Sequence, residues 1–344
     1  MKVNVRTRRE MENCKFPVIE KVDEKLNAEL LEYFKGETDS YVQVGPKKWF
    51  LPVKYKKLAE SYKNFQVRPS DVWITGLPRT GTTVTQELVW LLCHNLNYKA
   101  AEEDLDERVR YFELDLVFND KTTEKRIKDF PDDPEHARLT ECMRNTLKYL
   151  QEDKKRRVMK THLPFELLPD DILVRGCKVI YVCRHPKDVA VSYHLYERGS
   201  WHLNFTGDFQ KYWDFFKNGN CTFGPYFEHV KQGYDKKHLN NVLFVYYEDL
   251  RKDLKGYIKK ISDFLERPVT EKELDKLEQH LRFENFKENP AVSKNLRDAD
   301  NNEVAFVRKG KVGGWKDYFT VKMNEEADAW IEENMNGMDM RWSQ

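Results

Sequence analysis

The sequence predicts an α/β fold: a single domain with a central parallel sheet flanked by helices. Three observations carry that prediction. Residues 72–75, 178–183 and 241–246 are short, nearly continuous apolar runs, the pattern of strands covered on both faces. Each leads into a stretch with helical spacing, and strands alternating with helices require crossovers and parallel pairing. At 344 residues, 40% of them hydrophobic, the chain can cover both faces of such a sheet.

Residues 1–70 are polar with scattered aromatics (Tyr33, Phe34, Tyr41, Trp49, Phe50) and read as an N-terminal extension wrapping the core. The domain proper is expected over 71–335, with a short tail at 336–344. Its first strand enters a loop, Gly76-Leu77-Pro78-Arg79-Thr80-Gly81-Thr82-Thr83. That loop opens into a helix whose Val84, Leu88, Leu91 and Leu92 fall at helical spacing. Residues 101–157 are strongly charged and read as helix or loop, broken at Pro131 and Pro134. Helical patterns follow the second and third strands, over 187–197 and 252–266, the latter with Leu254, Ile258, Ile261 and Leu265 on one face. No internal repeat or low-complexity linker interrupts this order.

A net charge of +1 argues against nucleic acid or a membrane surface as a partner, so any basic site must be local. The six cysteines are scattered without a CxxC pair, which fits a reducing compartment. The N-terminal stretch is charged, without a hydrophobic signal region, and no long apolar segment follows. These features read as a soluble, cytoplasmic protein.

The loop after the first strand is the most informative segment. Strand, glycine-containing turn and helix N-terminus direct several backbone N–H groups toward one point, where the helix dipole also favours negative charge. Thr80, Thr82 and Thr83 add hydroxyls, and Arg79 adds a cationic fork suited to phosphate or sulfate. Gly76 and Gly81 reproduce half of a phosphate-binding loop, but Thr82-Thr83 stand where Lys-Ser/Thr would follow. No metal-holding pattern accompanies it. An ordinary strand-to-helix turn is the plain alternative, and the internal Arg favours anion binding over it.

In parallel sheets, ligands bind beyond the carboxyl ends of the strands. That rule gathers Arg184 directly after the second strand, Ser192 on the next helix, and Tyr247 at the end of the third, so that Arg184 and Ser192 can hold a second anionic group. Taken singly, Arg184 and Ser192 read as surface residues. Lys160 and His162 lie two apart on an extended segment, hence on one side, and His162 precedes the stiff Leu163-Pro164. A histidine can accept a proton at neutral pH while a nearby ammonium stabilises anionic oxygen. The run Phe306-Val307-Arg308-Lys309-Gly310-Lys311 suits a flexible loop over a phosphate, or simply a solvated charge run.

Five segments appear in order: LPRTGTTV, MKTHLP, CRHPKDVAVSYH, YYEDL and RKGKVGGWK. Together they resemble the cytosolic sulfotransferases that use 3′-phosphoadenosine 5′-phosphosulfate (PAPS). Members of that family carry a YPKSGTTW-type loop, KTHLP, an Arg followed by KDVAVSYY, YEDM, and RKGxxGDWK. The likeness covers about residues 70–335, and five motifs in order are highly specific. Insect-type members, retinol dehydratase among them, are especially similar in the arginine-containing loop and in residues 222–230, ending PYFEHV.

The resemblance implies a P-loop-kinase-like sulfotransferase fold, no metal, and transfer of sulfonate from PAPS to a small hydroxyl acceptor in small-molecule metabolism or detoxification, leaving 3′-phosphoadenosine 5′-phosphate (PAP). It places Arg79 at the family's catalytic Lys and Thr80, Gly81, Thr82 and Thr83 around the 5′-phosphosulfate. Arg184 and Ser192 would hold the 3′-phosphate, with Phe306, Val307, Arg308, Lys309 and Gly310 closing over it. Tyr247, Val84, Leu281 and Phe283 would surround the adenine. His162 would be the base, with Lys160 its companion and Thr161 beside them at the acceptor. Lys316, Thr320, Val321 and Glu325 match a homodimerisation motif.

Three departures stand out: Arg79 replaces Lys, Val84 replaces a Trp that stacks on adenine, and Leu281 replaces a Thr. Acceptor-pocket aromatics are expected among Tyr98, Tyr111, Phe112, Tyr196 and Trp201, favouring a phenol, alcohol, steroid or retinoid. The alternatives are a retinol-dehydratase-like enzyme that eliminates sulfate after sulfonating an allylic alcohol, a small-molecule kinase, and a non-catalytic nucleotide-binding protein.

Overall fold

A computed structural model describes residues 16–129, 131, 146–293, 295–300, 302–307 and 310–342. Arg308 and Lys309, expected over the phosphate, lie outside the described residues, as do Pro134, Cys14 and Cys142.

The chain begins with a small antiparallel sheet of β1 (Ile19–Lys21), β2 (Tyr41–Val44) and β3 (Trp49–Pro52). Trp49 and Phe50 are buried within the main core, so this segment supplies core as well as covering it. The Phe50 backbone exchanges hydrogen bonds with the Phe223–Gly224 turn (Phe50 N to Gly224 O, 2.9 Å; Phe223 N to Phe50 O, 2.8 Å).

The central sheet contains β4 (Val72–Thr75), β5 (Arg110–Tyr111), β6 (Val158–Thr161), β7 (Lys178–Cys183) and β8 (Val242–Tyr246). Its order is β5-β6-β4-β7-β8, with every pairing parallel. Alternate residues enter different cores, because successive side chains of a strand point to opposite faces. Trp73, Met159, Val179 and Tyr181 join one apolar cluster, and Val72, Ile74, Val158, Ile180 and Val182 join the other. Burial on both faces is why these strands read as continuous apolar runs.

β7 has the expected bounds, and β8 starts one residue later than expected. β5 was not expected: two half-buried residues in a charged stretch leave no periodic signal. The helix read over 252–266 runs over Leu254–Phe264, and Lys252 ends a separate helix, Tyr247–Lys252. Asp253 separates the two by leaving helical geometry (φ −143°) and capping the Gly256 N–H with its carboxylate. A final two-stranded hairpin, β9 (Asn295–Arg297) with β10 (Glu303–Ala305), lies ahead of the Val321–Met335 helix. Among the described residues, no helix is long and apolar enough to cross a membrane.

Since β4 has later strands on both sides, the connections diverge from it, and the crevice at its carboxyl end is where this topology places a ligand. Gly76, His162, Arg184 and Tyr247 are each the first residue beyond β4, β6, β7 and β8. The sheet brings four distant motifs to one edge.

Candidate active site

Beyond β4 the chain turns into the Thr82–Cys93 helix through Gly81, the N-cap, at φ +102°. A Cβ at Gly81 would stand 2.4 Å from the Tyr247 ring, so glycine serves both the left-handed turn and the close approach. No side chain caps this helix, and its first-turn N–H groups have no partner within the helix. Gly81, Thr82, Thr83 and Val84 line a cavity of about 220 Å³. Thr80 does not. Its buried hydroxyl donates to the Leu77 carbonyl at 2.8 Å, so its side chain ties the loop together instead of facing a ligand.

Arg79 is held at φ +70°, a left-handed conformation unusual for a side-chain-bearing residue. Its Nε donates to Ser192 Oγ (3.2 Å) and an Nη2 to the Phe306 carbonyl (2.9 Å). The guanidinium carbon lies 4.5 Å from the Phe306 ring centre and 5.3 Å from that of Tyr196. Arg79 and Ser192, expected at separate anionic groups, therefore touch each other.

Ser192 rides the Pro186–Arg198 helix, which starts with Pro at its first turn and His185 as N-cap. Arg184, just before it, donates to the Arg79 carbonyl and to the Lys311 carbonyl, both at 3.1 Å, and lies 4.5 Å over the Tyr247 ring. Its buried Nε has no hydrogen-bond partner. Tyr247 opens a helix, one residue beyond the strand it was expected to end, and its hydroxyl donates to the Gly310 carbonyl (3.3 Å). A Cβ on Gly310 would meet the Phe283 ring at 2.5 Å. Asp188 fastens the same segment by accepting the Gly313 and Trp315 N–H groups at 2.8 and 3.0 Å. Leu281, Phe283, Phe306 and Val307 complete this end of the cavity.

At the other end His162 is buried with its orientation set by three bonds. Nδ1 lies 2.5 Å from the Gly76 carbonyl oxygen, which can only accept, so Nδ1 carries the proton and Nε2 keeps its lone pair. The His162 N–H donates to Glu113 Oε1 (2.5 Å), and its carbonyl accepts from His229 Nε2 (3.0 Å). Burial, then the Lys160 charge, hold the His162 imidazole well below the usual histidine range, so it is neutral near pH 7. Lys160, also pushed down by burial, places its ammonium 4.2 Å over the Tyr111 ring. Thr161 does not line the cavity; its side chain alternates to the other face and donates to Glu113 Oε2 (2.8 Å).

Tyr41, Tyr111, Val117, Tyr193, Tyr196 and Phe223 also line the cavity, with Glu37 and His202 as polar members. Burial, then the Arg126 charge, push His202 down to about 3, so it is neutral. Of the expected aromatics only Tyr111 and Tyr196 line the cavity. Tyr98 packs on His280, Phe112 among Tyr62, Phe65 and Trp73, and Trp201 on Phe118. Glu113, Glu37 and Phe223 were missed, since none stands in a recognisable spacing.

Residues 69–339 match the family model of the sulfotransferase domain. This chain belongs to the cytosolic sulfotransferase family. It is a PAPS-dependent sulfotransferase of the kind that transfers sulfonyl groups to hydroxyl acceptors. It is 34% identical over 330 residues to luciferin sulfotransferase of Photinus pyralis, covering 92% of this chain and 85% of that one. A crystal structure of retinol dehydratase with androsterone and inactive cofactor PAP superposes with TM-score 0.87 at 34% identity, over 95% and 98% of the two chains. A second, with retinol and PAP, gives the same score and identity over 95% and 99%. PAP is thus bound in structural neighbours of this sulfotransferase.

Proposed function

We propose that this sulfotransferase moves the sulfonate of PAPS to the hydroxyl of a small apolar or aromatic acceptor, with His162 as general base. The observation that carries the reading is the Nδ1–Gly76 bond, which leaves a neutral imidazole with a free Nε2 lone pair at the meeting point of loop and acceptor wall.

The residues present fit PAPS on two counts: an uncapped helix N-terminus behind a turn that only glycine can make, and a buried Arg184 Nε without a partner. The first-turn N–H groups with Thr82 and Thr83 would hold the phosphosulfate, and Arg184, Ser192 and the Gly310 segment the 3′-phosphate. Tyr247, Val84, Leu281 and Phe283 would surround the base. PAPS, when bound, supplies the sulfonate and an anionic phosphate leaving group. His162 Nε2 takes the acceptor's hydroxyl proton. The Lys160 ammonium and the Arg79 guanidinium, once drawn from Phe306, stabilise charge that grows on the equatorial and departing oxygens. Arg79 is a poor proton donor, so its part is electrostatic.

A second reading is favoured by the likeness to retinol dehydratase: sulfonation of an allylic alcohol followed by loss of sulfate. The protein is further proposed to pair as a homodimer through Lys316, Thr320, Val321 and Glu325, where Val321 is 77% exposed. The test is incubation with PAPS and a panel of phenols, steroids, retinoids and catecholamines, with and without EDTA. Sulfated products formed in EDTA are expected. An alkene from retinol would select the second reading, and no product from any acceptor would overturn both.

A further inference from the structure

Glu113 is the one carboxylate that touches the Lys160–His162 segment by hydrogen bonds among the described residues. It is fully buried, and it follows β5, the short edge strand beside β6. Oε1 accepts from the His162 N–H at 2.5 Å and Oε2 from Thr161 Oγ1 at 2.8 Å. The same hydroxyl then accepts the Leu163 N–H at 3.1 Å. One carboxylate therefore grips the strand end between the two residues that face the reacting atoms. It is sealed from solvent, and an amide would fill the same space.

We propose that Glu113 is a positioning residue of the sulfonyl transfer, its carboxylate setting the end of β6 so that the His162 imidazole and Lys160 ammonium converge on one point. The proposal rests on His162 serving as the base. Glu113 acts through the backbone at 162 and the hydroxyl at 161, and, after Asp106, as the second anion that offsets the buried ammonium of Lys160. Without Glu113, Asp106 alone offsets a desolvated cation beside Arg79, and the Lys160 proton is held more weakly.

Burial pushes the Glu113 carboxyl up to about 7, opposed by the His162 N–H, the Thr161 hydroxyl and Lys160. The titratable groups facing it are Lys160 on β6, His162 just beyond it, Tyr111 on β5, and Tyr62 on the Tyr55–Lys63 helix. The two tyrosines are held above their ordinary range and stay neutral. As pH rises through about 7, Glu113 loses its proton and its grip on both donors is complete, so turnover rises there. His162, held far lower, does not produce that limb. The stability sign is opposite. A carboxyl whose folded value is raised above 4.5 stabilises the fold only when protonated, and that contribution is lost as pH climbs through about 7.

These opposite signs give the test. Glu113→Gln keeps the volume and one acceptor, whereas Glu113→Ala also opens a cavity. For E113Q, kcat at pH 8 is expected to fall at least ~10-fold, since small misplacement of reacting groups costs up to ~100-fold. KM for PAPS and calorimetric PAP affinity stay near wild type, the acid limb near pH 7 disappears, and Tm at pH 8 is equal or higher. Wild-type kcat and acid limb in E113Q would overturn the proposal while leaving the sulfotransferase reading intact. So would a lowered Tm with weakened PAP binding, the signature of a merely structural residue. A wild-type protein that sulfonates nothing would remove the reading itself, and this role with it.

Discussion

Arg79 donates to Ser192 across 113 residues of sequence, linking the loop after β4 to the helix after β7 at 3.2 Å. The same guanidinium holds the Phe306 carbonyl and ring. One cation therefore ties the loop after β4 to the helix after β7 and to Phe306, in a backbone conformation that side chains rarely adopt.

Removing that cation should affect chemistry more than folding. Arg79→Ala is expected to lower kcat by ~100-fold, the scale of losing one preorganised electrostatic group. Arg79→Lys, which keeps charge but not the fork, should lose less than ~10-fold. Steady-state rates for the three proteins check this, and equal rates for Ala and Arg would rule out an electrostatic role.

His162→Ala should reduce the rate at least ~100-fold, the low end for general-base catalysis, while PAP still binds. Kinetics and calorimetry on the same preparation separate the two effects. Because burial and Lys160 hold this imidazole well below 6.5, no limb at the ordinary histidine pKa is expected in the pH profile.

Gly81→Ala should damage the nucleotide end directly. The added carbon would stand 2.4 Å from the Tyr247 ring, on a backbone at φ +102°. A loss of ~1–3 kcal/mol from strain is expected, with weaker PAP binding. Thermal unfolding and calorimetry report both, and unchanged PAP affinity would show that the turn does not shape the anion site.

Glu197 tests the buried electrostatics away from the reacting groups. Burial pushes its carboxyl up to about 8, opposed by the Tyr212 and Tyr193 hydroxyls. A raised folded value makes its stabilisation complete below the unfolded pKa of about 4.5 and lost as pH rises through about 8. Glu197→Gln should therefore raise Tm at pH 9 by at least ~2 °C, the effect of about 1 kcal/mol in a chain of this size, and change it little at pH 5.

Val321→Glu should yield an active monomer if the segment around it pairs two copies, because a charge would then replace an apolar contact. Light scattering decides this, and an unaltered dimer would remove Val321 from the interface.

The α/β class, the parallel strands β4, β7 and β8, and the turn at Gly81 into the Thr82–Cys93 helix were legible in the sequence because each is a local matter. Apolar runs report two-sided burial, and a glycine before an uncapped helix reports its own geometry. The Lys160–His162 pair was legible as spacing, and the order of five motifs named the family. What tertiary structure decided was every relationship between segments. Thr80 and Thr161 sit inside their motifs, yet their hydroxyls turn to Leu77 and Glu113, because a strand's alternation and a turn's closure set side-chain direction. β5 and Glu113 carried no periodic signal, and only pairing against β6 puts that carboxylate under the histidine. Arg79 with Ser192, and Phe223 with the acceptor wall, meet because loops from distant strands close over one sheet edge, and a linear pattern holds no information about which loops meet.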